Sequence, residues 1–132
     1  MRIGYFDCFS GVSGDMVLGA LVDAGLPAAE LQDAIAALGV NGITLAAEKV
    51  TRHTFAATRV HVVTAEEDHP HRHLGEILRL IEETRLDPGV KTDAARVFTR
   101  LAEAEAAAHG GSPDAVHFHE VGALDAIADV VG

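Results

Sequence analysis

Basic residues, cysteine and large aromatics are all scarce in this chain of 132 residues. Lys and Arg total 10 against 20 Asp and Glu, a formal net charge of −10. A nucleic-acid binder needs a basic face to displace counterions from phosphates, so this balance argues against nucleic acid and equally against an anionic membrane surface. The one cysteine, Cys8, excludes an internal disulfide and fits a reducing compartment. No apolar run approaches the roughly 18 residues that mark a membrane span. Residues 1–3 lead straight into a strand-like run rather than a signal peptide, so the expected location is the cytoplasm. Against these shortages stands histidine: Trp is absent and Tyr occurs once, yet there are 8 His. Most of them fall in or near two short tracts, and function is to be sought there.

The length suits a single domain over residues 1–132, and 48% apolar with 23% charged residues is the composition of a globular protein. Val130-Val131-Gly132 close the chain inside an apolar run with no polar tail, which suggests the N-terminal fragment of a longer polypeptide. The apolar run at 2–9 reads as a first, central strand, and Ser13 as the cap of a helix running to Gly25. That helix is apolar nearly all round, so it is expected to be buried. After Pro27, the spacing of Leu31, Ala34, Ile35 and Leu38 predicts a second helix that stops at Gly39. Alternation over 43–50 and 55–64, around a polar turn near His53, predicts an antiparallel hairpin with one buried face. A polar loop at 66–72 precedes an amphipathic helix carrying Leu74, Ile77, Leu78 and Ile81. Asp87-Pro88 then opens a long helix with Val90, Ala94, Val97, Leu101, Ala104 and Ala108 on one face, ended by His109-Gly110-Gly111. Residues 116–119 read as extended and 121 onward as helical. The fold class expected is α+β: a two-layer domain with a small mixed sheet of 3–4 strands covered by four or five helices.

His69-Pro70-His71-Arg72-His73 is the strongest local signal for chemistry. On an extended backbone, positions i, i+2 and i+4 project to one side, so His69, His71 and His73 can meet one ion. Imidazole suits nickel, zinc, copper and iron, and the neighbouring Glu66, Glu67 and Asp68 add oxygen donors. A solvated loop whose histidines merely titrate is the plainer alternative. In His117-Phe118-His119-Glu120 the two histidines share one face of a strand while Phe118 points to the core. Glu120, Asp125 and Asp129 add carboxylates; alternatively Glu120 complements a helix N-terminus while Asp125 and Asp129, four residues apart, lie on a wet face.

The third candidate is Asp7-Cys8-Phe9-Ser10-Gly11-Val12-Ser13-Gly14-Asp15, a strand, a Gly/Ser turn and a helix start. Backbone N–H groups at Ser10, Gly11, Ser13 and Gly14 can hold a phosphate, although the run matches neither the Walker A nor the dinucleotide pattern. Simple helix capping explains it equally well. Asp15 would repel a phosphate without an intervening cation, which tilts Asp7 and Asp15 toward metal or general-base work. Cys8 reads as a small buried hydrophobe. His53, His61 and His109 read as surface residues without a role.

Three stretches together, residues 6–16, His71-Arg72-His73-Leu74 and residues 116–125, resemble the LarC family of nickel insertion proteins, which complete the nickel-pincer nucleotide cofactor of lactate racemase. The resemblance implies insertion of Ni2+, the substrate metal, into pyridinium-3,5-bisthiocarboxylic acid mononucleotide, with CTP hydrolysis. It implies metal ligands among His69, His71, His73, His117, His119 and Asp125, and a base among Asp7, Asp15 and Glu120 for the proton lost when the pyridinium carbon is metallated. It places the precursor's phosphate at Ser10, Gly11, Ser13 and Gly14. Family members are longer, so the CTP site with Mn2+ or Mg2+ is expected in a C-terminal part outside this chain, and the fragment alone is expected to be inactive. Apo lactate racemase is the partner implied. Two rivals stand beside this reading: a non-catalytic nickel-delivery module, and a metal-dependent hydrolase built on Asp7, Asp15, His117, His119 and Glu120. Whether the two histidine tracts meet, and whether the chain forms a homo-oligomer, the sequence leaves open.

Overall fold

The structure is a computed structural model and describes residues 3–40, 42–64, 72–118 and 124–132. Among them are five α-helices and two small sheets, an α+β architecture. The order is α1 (Gly14–Asp23), α2 (Ala28–Ala36), β1 (Ile43–Arg52), β2 (Phe55–Thr64), β3 (Arg72–His73), α3 (Leu74–Glu83), α4 (Pro88–His109), a short 3-10 turn (Pro113–Ala115), β4 (His117–Phe118) and α5 (Leu124–Val131).

The hairpin forms in the predicted place, with Ile43 opposite Thr64 and Arg52 opposite Phe55. Its Ile43, Leu45, Val60 and Val62 face the helices, as the alternation requires. Helix α1 lies on β2 so closely that a Cβ at Gly19 would stand 2.6 Å from the Thr58 carbonyl oxygen. Asp23, at the last turn of α1, accepts hydrogen bonds from Lys49 Nζ (2.8 Å) and Thr58 Oγ1 (2.6 Å), which hold its carboxyl below the usual carboxylate range. A small core of Leu18, Leu31 and Val60 joins α1, α2 and the hairpin.

The larger core lies under α3, α4 and α5. In α4 the buried residues are Ala94, Phe98, Ala102 and Ala106, one every four positions. Three alanines allow the neighbouring helices close approach, and Phe98 fills the space between. Asp87 caps this helix by accepting from the Gly89 N–H at 2.8 Å, and Gly110 ends it at φ 72°.

Five expectations are corrected. Residues 3–8 form no strand among the described residues; they run without a regular partner, and Tyr5 and Phe9 are exposed. The sheet is therefore not one mixed layer but two separate antiparallel pairs, β1–β2 and β3–β4. Helix α1 is not buried all round: Leu18 and Gly19 are buried, whereas Met16 and Leu21 face outward because no element among the described residues covers that side. In α4 the Val90, Val97 and Leu101 side is exposed, since the close-packed side is the one with small residues. Cys8 lies exposed on the leading segment rather than in a core.

The two-residue connection of the hairpin places His53 at φ 46° and Thr54 at φ 75°. A tight hairpin needs positive φ at both positions, which suits Asn-Gly and strains a β-branched residue. Thr54→Gly is expected to raise stability by about 1 kcal/mol, read as a higher midpoint in thermal unfolding.

Candidate metal centre

Strands β3 and β4 are each two residues long and pair antiparallel, with Arg72 opposite Phe118 and His73 opposite His117. Directly opposite residues project to the same face of an antiparallel ladder. The two imidazoles accordingly meet, with ring centroids 3.9 Å apart and planes at 50°. Phe118 turns the other way into the core and meets Phe98 edge-on, with centroids 6.4 Å apart. One described residue from each histidine tract thus arrives at a single place. His69, His71, His119 and Glu120, on either side of the pair in sequence, lie outside the described residues. Among the described residues no group of three or more His, Cys, Asp or Glu forms a complete metal cage.

His73 also starts α3, and its backbone N–H donates to the Glu76 carboxylate at 2.8 Å, an arm of a capping box. A cleft of about 890 Å³ opens beside it, lined by Val40, Arg72, Gly75, Glu76 and Arg79 among others. His117 borders a second, smaller cleft of about 370 Å³ together with His109 and Glu105. The imidazole pair stands where these two clefts border the small sheet. Helix packing explains His109 on its own, since its Nε2 lies 3.2 Å from Glu105 within α4.

The Gly/Ser turn is built differently from a simple cap. Gly11, at φ 84°, closes a turn through its N–H to the Cys8 carbonyl at 3.0 Å. Ser13 occupies the N-cap position, yet its hydroxyl donates to the Asp15 carboxylate instead of accepting from the helix. That carboxylate also accepts from the Met16 N–H at 2.9 Å. Gly14 abuts α5: a Cβ there would fall 2.3 Å from the Cβ of Asp129. Asp129 is therefore not on a wet face. Its Oδ1 is buried without a hydrogen-bond partner, and burial, then the charges of Asp15 and Asp125, push its carboxyl up to about 6. Asp7 and Ser10 are exposed on the leading segment. The sequence signal for Asp129 was its spacing from Asp125 on a helix whose other residues are apolar; what it meets depends on α1.

A family model described as nickel insertion protein matches residues 4–132. The chain belongs to this nickel insertion protein family. Relatives from Citrifermentans bemidjiense (51% identical over 132 residues) and Roseiflexus castenholzii (52% over 131 residues) are provisionally named nickel insertion proteins. A relative from Desulfitobacterium hafniense, 49% identical over 132 residues, is named pyridinium-3,5-bisthiocarboxylic acid mononucleotide nickel insertion protein. These matches cover 99–100% of this chain but 33–34% of the relatives, so the chain spans about a third of their length. No solved structure is significantly similar to it.

In this member of the nickel insertion family, the carboxylates of Asp15, Asp125 and Asp129 gather where α1 starts against α5, and the imidazoles of His73 and His117 gather at β3–β4. A phosphate at the start of α1 would meet those three carboxylates and would need a cation between them. The raised carboxyl of Asp129 also makes a stability prediction. Its folded value of about 6 exceeds 3.8, so the native state is favoured while Asp129 is protonated and loses that advantage as pH rises from about 4 through 6. Asp129→Asn keeps the shape without the charge. It is expected to raise stability by about 2 kcal/mol at pH 7.5, after allowing for water at its open side, and by less than about 0.5 kcal/mol at pH 4. Thermal unfolding of both proteins at the two pH values checks this.

Proposed function

We propose that this chain is the part of a nickel insertion enzyme that captures Ni2+ and presents it to a nucleotide precursor. The observation that carries the reading is the meeting of His73 and His117, one from each histidine tract, in a chain of this family. Ni2+ is a substrate here and must leave the protein again. A few exchangeable imidazole and carboxylate donors suit that task better than a closed thiolate cage, and the single cysteine, Cys8, cannot supply such a cage. His69, His71, His119 and Asp125 are the further ligands in this reading.

The precursor follows from the printed name of the Desulfitobacterium hafniense relative: pyridinium-3,5-bisthiocarboxylic acid mononucleotide. Nickel replaces a proton on the pyridinium carbon and joins two thiocarboxylate sulfurs. A base must take that proton, and Asp7, Asp15 or Glu120 is assigned the role; Asp129 joins them because its carboxyl sits near neutrality. The turn at Ser10, Gly11, Ser13 and Gly14 receives the precursor's phosphate, with a cation offsetting the nearby carboxylates. CTP hydrolysis with Mn2+ or Mg2+ is assigned to the polypeptide that the relatives carry outside the matched third. Under this reading the whole enzyme is a lyase of the cytoplasm that serves lactate racemase, and this part alone does not turn over.

Calorimetric titration of the metal-free chain with Ni2+ tests the reading. The expected result is a dissociation constant on the order of micromolar, weakened roughly tenfold or more by His117→Ala and by His73→Asn. Asparagine at position 73 keeps a good helix-starting residue while removing the imidazole, so a loss there is not a loss of α3. Binding is expected to weaken in acid, because protons compete for the same nitrogens. Unchanged affinity in both variants would sink the assignment of nickel to this pair.

A further inference from the structure

The residues before α1 combine two properties that rarely coexist at a protein surface. Ile3, Tyr5, Phe6 and Phe9 are 79%, 87%, 60% and 92% exposed, and Val12 and Met16 extend the same apolar run into the helix. Residues 3–8 belong to no strand or helix, so among the described residues their backbone has no ladder partner. A run of exposed apolar side chains of this kind marks an interaction site, and a backbone without a ladder partner is available to add to a sheet edge. The segment falls within the region that the family model matches, since that match begins at residue 4. It is therefore part of the domain and not an appendage to it.

We infer that residues 3–9 are a β-strand whose partner edge is supplied by the polypeptide that the relatives carry outside the matched third. Those relatives hold about two-thirds of their length outside the match, ample for a sheet. The segment leads directly into α1, and Gly132 sits so close to α1 that a Cβ there would be 3.0 Å from Leu18 Cδ2. The contact is apolar in kind, since Asp7 is the one charged residue in 3–12. A second copy is the poorer occupant, because it would bring together two chains each of formal charge −10. The inference rests on family membership and on exposure, and it stands whether or not His73 and His117 bind nickel.

Amide hydrogen exchange read by mass spectrometry tests it, with this chain grafted into the Citrifermentans bemidjiense relative in place of the third it matches. In the isolated chain, residues 3–9 are expected to exchange at nearly the free-peptide rate at every protein concentration. In the full-length hybrid they are expected to slow by roughly a hundredfold or more. Tyr5→Asp with Phe9→Asp in the hybrid is expected to restore fast exchange, while amides of α4 stay protected and report that the domain is folded. Fast exchange at 3–9 in a hybrid whose α4 is protected would overturn the inference. Protection already present in the isolated chain would do the same, pointing to a second copy if it grows with concentration and to pairing within the chain if it does not. The unmodified relative needs no graft, and unprotected amides at its aligned segment would be equally decisive against the idea.

Discussion

Phe118 against Phe98 is the contact on which the imidazole pair of His73 and His117 depends. Strands β3 and β4 are two residues each, and a pairing that short has little stability of its own in water. What holds β4 in place is the burial of Phe118 and Val116 beneath α4, where Phe98 meets Phe118 edge to face. Because neighbouring residues of a strand point to opposite sides, an inward Phe118 requires an outward His117. The antiparallel register then sets His73 opposite, at the first turn of α3. The anchor also needs α4 to come close on either side, which the alanines at 94, 102 and 106 permit. A bulkier residue in that row would push apart the elements that carry the two imidazoles.

Stability is unevenly divided across the chain. The core under α3, α4 and α5, which also takes in Ile35 of α2, Leu38 and Ile43, holds most of the buried residues, whereas α1 and the far part of the hairpin rest on Leu18, Leu31 and Val60 with a few partly buried neighbours. The thin half also carries the exposed leading segment and Asp15, which faces Asp125 and Asp129 on α5 of the firm half. Burial at this helix junction, and after it the charges of Asp15 and Asp125, keep Asp129 protonated nearer to neutrality. The histidine pair therefore sits on the firm half and the Gly/Ser turn on the loose one. The firm half thus fixes the geometry of the imidazole pair.

Much was legible before any coordinates. Periodicity and punctuation located α2, α3 and α4, with Asp87 and Gly110 at the ends where capping chemistry puts them. Alternation located the hairpin, and the His-Phe-His pattern located an outward imidazole next to an inward aromatic. The order of the motifs pointed to the family that the comparisons then showed. Other readings failed where local pattern and packing disagree. The valine and leucine side of α4 looked like its buried face, yet the helix buries alanines, because close approach rewards small volume as well as apolarity. The run at 2–9 has every mark of a central strand, but a strand exists only with an edge to pair with.

The sequence by itself determined what short-range physics governs: helix faces and caps, strand alternation, the acidic charge, and the presence of two imidazole tracts. Only the tertiary structure decided that the two tracts meet, that Gly14 makes room for Asp129, and that Cys8 stands in water. Each of these joins residues far apart along the chain. Local propensity reaches a few residues in either direction, whereas register and burial are set by which surfaces the packed elements exclude from water.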